Sequence, residues 1–267
     1  MNFMKMHEEH LRQLTGCSFP VIFRLEQVLT AILSDKGAGA PFKYQVRAML
    51  VATLIKLRSG NAYRTMAIYL GIPYVTLNRY VRRVCAILAD RPLDTSQSRH
   101  YLIVDGTCLR IRSSDKADYS GYKLHKNRKV QVIVDDSGRI IDVSDSYNGA
   151  VHDKTIWNKE YERLTKILNK PVLADKAYAG AKGENAILSR PIKRNEVAYK
   201  TDKEACKASN RELSKKRVKV EHVFAQLKAY RILRDIFSHS PDVFGIFFKA
   251  VALIYNMTLE YKKVKSG

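Results

Sequence analysis

The chain has 267 residues, 46% of them hydrophobic, which is enough to bury the cores of one or two domains. Its 47 Lys and Arg residues exceed its 26 Asp and Glu residues and give a formal net charge of +21. A globular chain this basic is expected to bind a polyanion. Nucleic acid is favoured over a membrane surface, because neither a basic amphipathic anchor nor a lipidation signal is evident.

Apolar residues recur at helical spacing through about the first 90 residues. Helices are predicted over residues 19–33 and 44–57, then over residues 62–70 with Asn61 as the N-cap, and from Pro73 to about residue 88. The polar segment 91–98 contains a proline and is expected to be a linker. The sequence therefore predicts an all-α domain over residues 1–95 and a second domain over residues 96–267.

The pattern changes to strands after the predicted linker. Residues 101–112 are rich in branched side chains, and residues 129–134 and 139–144 flank a turn at Asp136-Ser137-Gly138. A helix is predicted over residues 153–168 and a short strand over residues 172–174. A long basic helix is predicted over residues 203–230 and an apolar helix over residues 243–261. Strands followed by helices that alternate with a late strand predict an α/β domain.

The cysteines and the apolar stretches bear on where the protein works. Four cysteines are far apart and form no CxxC pair, so neither a disulfide framework nor a zinc site is predicted. A reducing, cytoplasmic location is expected. The N-terminal residues lack the apolar core of a signal peptide. The apolar stretch 243–257 is short and contains Lys249, which favours a buried helix over a membrane span.

Residues 62–88 have the spacing of a helix-turn-helix. Ala67, Gly71 and Leu77 occupy positions suited to a close helix crossing, a left-handed turn and a buried apolar side chain. The side chains expected to contact DNA phosphates or bases are Thr76, Asn78, Arg79, Arg82 and Arg83. The side chains expected in the core are Tyr74, Leu77, Tyr80, Val81 and Val84. The alternative is an ordinary helical bundle with a solvated basic face.

Three carboxylates stand out by their positions. Asp105 lies within an apolar strand, where an unpaired charge costs on the order of several kcal/mol. Asp175 ends another apolar strand, and the carboxyl ends of strands are where α/β sheets place their sites. Glu221 is the only acid between Glu212 and Asp235, and its side chain is expected to face inward.

Carboxylates held on rigid elements suit hard divalent cations. Two Mg²⁺ (or Mn²⁺) ions bound this way can support phosphodiester chemistry. Arg217, Glu221 and Lys228 have the spacing of one helix face, so the two cations could hold a phosphate beside the carboxylate. The alternatives are structural: an Asp at a strand end can cap a turn, and Glu221 can belong to a surface salt-bridge ladder.

Five segments in order resemble the DDE endonuclease domain of bacterial insertion-sequence transposases, in the group related to eukaryotic Harbinger elements. They are YLIVDGT at 101–107, SGYK at 120–123 with Lys126, NGAVHD at 148–153, LADKAY at 173–178 and VEHVFAQLK at 220–228. The resemblance covers about residues 100–260, and a preceding helix-turn-helix is usual for the group.

The resemblance implies an RNase H-like fold, with Asp105, Asp175 and Glu221 as catalytic and metal-binding residues. It also implies a Tyr-Arg-Glu-Lys signature, of which Arg217, Glu221 and Lys228 match three members. Ser214 replaces the tyrosine, which puts one phosphate contact in doubt. His152 and Asp153 match a further feature of the group, with a role that the resemblance leaves open between metal, DNA and helix capping.

The expected activity is DNA transposition. A homodimer would bind the element's terminal inverted repeats, cleave phosphodiester bonds with two metal ions and join the 3′ ends to target DNA. Two rival functions stay open at this point. One is a domesticated transposase that acts as a sequence-specific DNA-binding regulator, and the other is a host nuclease without strand transfer.

Overall fold

The computed structural model describes residues 7–34, 44–93, 100–121 and 123–266. The chain divides into two compact units. The first comprises Met1–Pro92, Leu227–Phe237 and Ile246–Gly267, and the second comprises Leu93–Gln226 and Ser238–Gly245. Most of the predicted linker lies outside the described residues.

The first unit is helical. Its helices are α1 (Glu8–Thr15), α2 (Phe19–Ser34), α3 (Val46–Ser59), α4 (Tyr63–Leu70) and α5 (Tyr74–Ala89). A 3₁₀ turn at Arg231–Leu233 and most of the C-terminal helix also belong to this unit. The four helices predicted from apolar spacing, α2 to α5, are therefore confirmed. Their predicted ends agree with the observed ends to within about three residues.

Helix α3 forms the centre of the helical unit, because every side chain from Met49 to Leu57 is buried. One of these is a lysine, Lys56, whose ammonium donates to the carbonyls of Gly60 and Asn61 at 3.3 and 2.6 Å. Burial lowers the pKa of Lys56 from 10.5 to about 8. The prediction that Asn61 caps α4 is wrong, since the N-cap is Ala62 and no side-chain hydrogen bond caps the helix.

Helices α4 and α5 are joined by a tight turn at Gly71, which has a φ of 64° as the predicted left-handed turn requires. Leu77, Tyr80, Val81 and Val84 are buried as expected. Tyr74 is 47% exposed, so its predicted place in the core is wrong. It is the first residue of α5, and its ring lies on the surface under the guanidinium of Arg64, 5.6 Å from the ring centroid.

The second unit is built on a mixed sheet. Its strands are β1 (Leu102–Arg110), β2 (Tyr119–Ser120), β3 (His125–Asp135), β4 (Ile140–Val143), β5 (Tyr147–Asn148), β6 (Val172–Leu173) and β7 (Leu188–Ser189). Strands run in the order β2-β3-β1-β6-β7, and β4 and β5 also pair with β3. Strand β3 is antiparallel to β1, whereas β6 is parallel to β1 and β7 is parallel to β6.

Three helices accompany the sheet: α6 (Asp153–Thr165), α7 (Val197–Thr201) and α8 (Lys203–Leu227). Helix α6 covers one face of the sheet through Trp157 and Leu164, which pack in one cluster with Leu102, Val104 and Val172. Trp157 is fully buried, and its indole N–H donates to the carbonyl of Lys182 at 2.9 Å. Leu102 and Val104 of β1 thus face α6, and Asp105 points to the opposite side of the strand.

The C-terminal helix α9 (Phe244–Ser266) is longer than the sequence predicts. By length and composition, Pro241–Val264 could cross a membrane, with a mean hydropathy of 1.4 in its most apolar part. However, 61% of that part is buried inside the protein. Phe247, Ala250, Val251 and Ile254 are fully buried, which is typical of a core helix.

Candidate active site

The sheet places Asp105 and Asp175 at equivalent positions of two neighbouring strands. Strands β1 and β6 are parallel, with Leu102 opposite Val172 and Ile103 opposite Leu173. The pairing of the two strands ends there, and Asp105 and Asp175 each follow two residues after the last pair. Asp105 is still inside β1, whereas Asp175 comes after the end of β6.

Asp105 is largely buried, with 23% of its side chain exposed. Its Oδ1 atom accepts a hydrogen bond from the N–H of Gly106 at 2.8 Å, and its Oδ2 atom lies 3.7 Å from the guanidinium of Arg217. Burial raises the pKa of Asp105 from 3.8 to about 6, and Arg217 lowers it in part. The carboxylates of Asp175 and Asp153 raise this pKa further. The site is thus an acidic cluster in which extra positive charge would be stabilising.

Asp175 follows β6 and begins a 3₁₀ turn. Its Oδ1 atom accepts from the N–H of Ala177 at 2.7 Å, which fixes the carboxylate at the strand end. The same turn buries Tyr178 completely. Burial raises the pKa of Tyr178 well above its usual value, with further contributions from Asp153, Asp105 and Asp175. Asp175 therefore caps the turn, which was the structural alternative considered from the sequence. This cap uses Oδ1 and leaves Oδ2 available to bind a cation.

Asp153 is a third carboxylate of this unit, and it lies against Gly106 of β1. It is the first residue of α6, and its Oδ1 atom lies 3.3 Å from the ammonium of Lys129 on β3. Gln131, also on β3, donates to the backbone carbonyl of Asp153 at 2.7 Å. His152 is the N-cap of α6 and makes no side-chain capping bond. Of the pair left open by the sequence, Asp153 is the one whose charge raises the pKa of Asp105.

The site residues predicted on α8 differ in burial and in their place along the helix. Arg217 is mostly buried, with 16% of its side chain exposed and its guanidinium directed at Asp105. Glu221 lies one turn further along α8 and is exposed. The prediction that its side chain faces inward is therefore wrong. Its catalytic role stays a prediction. Lys228 follows the last residue of α8 and belongs to the helical unit. Ser214 bonds the carbonyl of Asn210 within the helix.

The predicted DNA-contacting residues of α5 are only partly exposed. Arg79 and Arg82 are exposed, whereas Thr76, Asn78 and Arg83 are half-buried. Val75 is 63% exposed and lies one turn before Arg79 on the same face.

The donor set of the acidic cluster suits a hard cation. Within the described residues, no group of three or more His, Cys, Asp or Glu side chains forms a ready cage for a metal ion. Mg²⁺ seldom uses such a cage, because it keeps several waters and binds one or two carboxylates together with substrate phosphates. Buried polar atoms without a hydrogen-bond partner include Asp153 Oδ1 and the Tyr178 hydroxyl. A hydrated cation beside Asp105 and Asp175 fits these observations.

Residues 104–256 match the family described as DDE superfamily endonuclease. The match covers more than half of the chain and includes most of the strand of Asp105, the turn of Asp175 and all of α8. The chain therefore belongs to the DDE superfamily endonuclease family.

Two relatives carry names of the same kind. A protein described as a probable transposase for insertion sequence element IS702, from Microchaete diplosiphon, is 30% identical over 160 residues, which are 60% of this chain and 56% of the relative. A transposase assigned to insertion sequence element IS112, from Streptomyces albus G, is 27% identical over 216 residues, or 78% of this chain and 80% of the relative. The chain thus spans little more than half the length of the first relative.

Proposed function

We propose that this protein is a transposase of an insertion sequence and that Asp105, Asp175 and Glu221 form its catalytic centre. The observation that carries the proposal is that Asp105 and Asp175 each follow two residues after the last pair of the parallel strands β1 and β6, with the guanidinium of Arg217 at 3.7 Å from the Asp105 carboxylate. Family membership and the names of the relatives support nuclease chemistry on DNA.

The sheet supports an RNase H-like arrangement for the second unit. A long central strand, β1, pairs with an antiparallel strand on one side and a parallel strand on the other. We propose that β1 carries the first catalytic acid and that the turn after β6 carries the second. The helix α8 then brings the third acid, Glu221, to the edge of the same site when DNA and cations are bound.

Each residue has a role that follows from its chemistry. Divalent cations, when bound, would activate the attacking oxygen and stabilise the leaving oxygen of the phosphodiester. Asp105 and Asp175 would hold these cations, and burial of Asp105 would exclude competing water. Arg217 would bind a non-bridging oxygen of the scissile phosphate, since its guanidinium is close to the acids and has donors to spare.

The helical unit would bind the ends of the element. Arg79 and Arg82 are exposed one turn apart on α5, the second helix of the proposed helix-turn-helix, and can contact phosphates or guanines. The net charge of +21 supports additional binding along the DNA backbone. Because two ends must be brought together for transposition, we propose that a homodimer acts on the terminal inverted repeats and the target DNA.

The test is cleavage and strand joining of duplexes that carry the inverted repeats bracketing the gene. Wild-type protein with Mg²⁺ or Mn²⁺ is expected to cut at the repeat end and to join the 3′ end to a second duplex. Asp105→Asn, Asp175→Asn and Glu221→Gln should each lower the cleavage rate by at least about a hundredfold, since each removes a cation ligand. Cleavage that survives in Asp105→Asn and Asp175→Asn refutes the assignment.

Glu212→Gln is the matched control on α8. This glutamate is exposed and pairs with Lys215 one turn away, so its substitution should leave cleavage unchanged. The rival functions give other results. A DNA-binding regulator protects the repeats without metal-dependent cleavage, and a host nuclease cleaves but does not join pre-cut ends.

DNA binding through α5 has its own test. The double substitution Arg79→Ala and Arg82→Ala should weaken binding to the repeat duplex. It should also lower the slope of log K against log salt concentration by the equivalent of about two phosphate contacts. Arg24→Ala is the control, since Arg24 is an exposed arginine of the same unit that pairs with Glu260. Equal salt dependence in all three proteins argues against α5 as the DNA-contacting helix.

A further inference from the structure

The helical unit contains a pocket of about 600 Å³ beside the junction between α1 and α2. Its walls come from α1, the residues between α1 and α2, the end of α3 and the C-terminal half of α9. All of the lining residues belong to this unit. None of the described residues of α4, α5 or the acidic cluster lines the pocket, so neither DNA binding by α5 nor catalysis accounts for it.

Two sources make this pocket positively charged. Arg12, Arg58 and Lys262 line it, and Glu8 is the one acid among the described residues that do so. Ser18, the residue before α2, lines it as well. The first N–H groups of an α-helix have no acceptor within the helix and carry partial positive charge. The first turn of α2 has no acidic side chain that would balance this charge. An anionic ligand is therefore expected.

Arg58 is held in place before any ligand binds. Its guanidinium donates to the carbonyl of Ala229 at 2.9 Å and lies 5.7 Å from the centroid of the Tyr230 ring. The side chain also packs over Gly16, where an added Cβ atom would lie 3.3 Å from Arg58 Cδ. A guanidinium has five N–H donors in a planar fork, so donors remain for two oxygens of an anion. Binding an anion then costs little further side-chain freedom.

The hydroxyl of Ser18 is an independent sign of a ligand. Ser18 is 9% exposed, and its Oγ atom has no hydrogen-bond partner among the residues that the structure describes. A serine directly before a helix usually accepts a bond from an N–H of the first turn. Buried hydroxyls are nearly always bonded, and those that are not call for an explanation such as a bound group. An anion in the pocket would accept a hydrogen bond from this hydroxyl.

We propose that this pocket binds the phosphate group of a nucleotide, which is part of a DNA strand or of a free nucleotide. Phosphate oxygens can accept from Arg58, from the Ser18 hydroxyl and from the N-terminal N–H groups of α2. The pocket is larger than a phosphate group alone and lies in the size range of small-ligand sites. Tyr261 also lines it and supplies a ring on which a base or sugar can pack. Only the DNA source rests on the proposed function.

The test is isothermal titration calorimetry of the full-length protein, without metal ions, with thymidine 5′-monophosphate and with thymidine. The monophosphate should bind at least about tenfold more tightly, since the phosphate makes the charge-assisted bonds. Arg58→Met should weaken binding of the monophosphate by at least about tenfold for the same reason. Arg24→Ala is the control and should bind as the wild type does, because Arg24 is an exposed arginine of the same unit that pairs with Glu260.

Ser18→Ala separates a binding role from a structural one. The substitution removes a buried hydroxyl without a partner, so the urea midpoint of the ligand-free protein, followed by circular dichroism, should stay the same or rise. Binding of the monophosphate should nevertheless weaken several-fold. A hydroxyl that serves only the fold predicts the reverse, a lower midpoint with wild-type binding. This variant keeps Arg58, so it also decides the matter if Arg58→Met does not fold.

Fluorescence anisotropy with a labelled repeat duplex distinguishes the two sources of the phosphate. If a DNA strand fills the pocket, the monophosphate competes with the duplex. Arg58→Met then lowers the slope of log K against log salt concentration by about one phosphate contact. If a free nucleotide fills it, Arg58→Met and Ser18→Ala bind the duplex as the wild type does, and the monophosphate does not compete.

Equal affinity for the monophosphate and thymidine, or wild-type binding of the monophosphate by either Arg58→Met or Ser18→Ala, overturns the proposal. An equal loss of affinity in Arg24→Ala does so too, because general surface charge would then explain the binding. The calorimetry involves neither DNA nor metal, so its result is separate from the fate of the proposed function. A protein that cuts and joins repeat ends but does not prefer the monophosphate loses this inference and keeps the transposase assignment.

Discussion

Replacement of Asp105 by Asn is expected to stabilise the metal-free protein at neutral pH. Burial raises the pKa of this carboxyl from 3.8 to about 6, so its ionised form is disfavoured in the folded state. One pKa unit corresponds to about 1.4 kcal/mol. The difference between the usual and the raised pKa of Asp105 therefore lowers the free energy of unfolding by about 3 kcal/mol above pH 6. Asn has the shape of the protonated carboxyl and does not carry this cost.

The sign of the pH dependence follows from the same numbers. Below pH 3.8 the carboxyl is protonated in both the folded and unfolded states and makes no difference to stability. Between pH 3.8 and about 6 only the unfolded chain ionises, so this group lowers the free energy of unfolding as the pH rises. The advantage of Asp105→Asn should therefore appear across this interval and stay constant at higher pH.

Urea unfolding at pH 4 to 8, followed by the fluorescence of Trp157, measures this effect. Trp157 is the one tryptophan of the chain and is buried in the unit that contains Asp105, so it reports on that unit. Glu212→Gln removes an exposed acid and should match the wild type at every pH. Mn²⁺ should stabilise the wild type by mass action and have little effect on Asp105→Asn.

The reasoning is refuted if Asp105→Asn is no more stable than the wild type at pH 8. It is equally refuted if the stabilisation is undiminished at pH 4, because the ionisation of this carboxyl would then not be its cause.

Three further substitutions test the packing and ion pairs of the second unit. Gly106→Ala should lower stability by about 1 kcal/mol in urea unfolding, because the new methyl group meets the Asp153 carboxylate at 2.2 Å; an unchanged unfolding midpoint would contradict this. Trp157→Ala should cost about 3–5 kcal/mol in urea unfolding monitored by circular dichroism, since the side chain is fully buried, and a loss below 1 kcal/mol would contradict its place in the core. Arg163→Met should cost about 2 kcal/mol, because it removes the charged partner bonded at 2.8 Å to the largely buried Glu160; Lys in its place should restore part of the loss.

Local patterns were sufficient to predict most elements of the protein. Helical spacing and glycine turns predicted α2 to α5. Branched residues predicted β1, and two short runs flanking a turn predicted β3 and β4. These features depend on neighbours within a few residues, which the sequence displays directly. The sequence also showed that Asp105 lies within an apolar strand. This position is unusual, because a charged side chain in a strand of the core needs a partner.

Long-range packing decided what those patterns could not. Tyr74 has the spacing of a core residue, yet its ring lies on the surface, because burial depends on which face of α5 meets the rest of the helical unit. Glu221 was expected to face inward and is exposed on α8. The apolar helix α9 was predicted to be buried, but its sequence does not tell which unit it joins, and most of it belongs to the helical unit.

The acidic centre shows the same division. The sequence by itself determined that Asp105 and Asp175 are strand-borne acids, because each follows an apolar run that forms a strand. Only the tertiary structure set them side by side, through the parallel register of β1 and β6. It also set the Asp153 carboxylate against Gly106, a residue far away in the chain whose position leaves no room for a side chain. Register and close approach arise from pairing between distant segments, which no local pattern encodes.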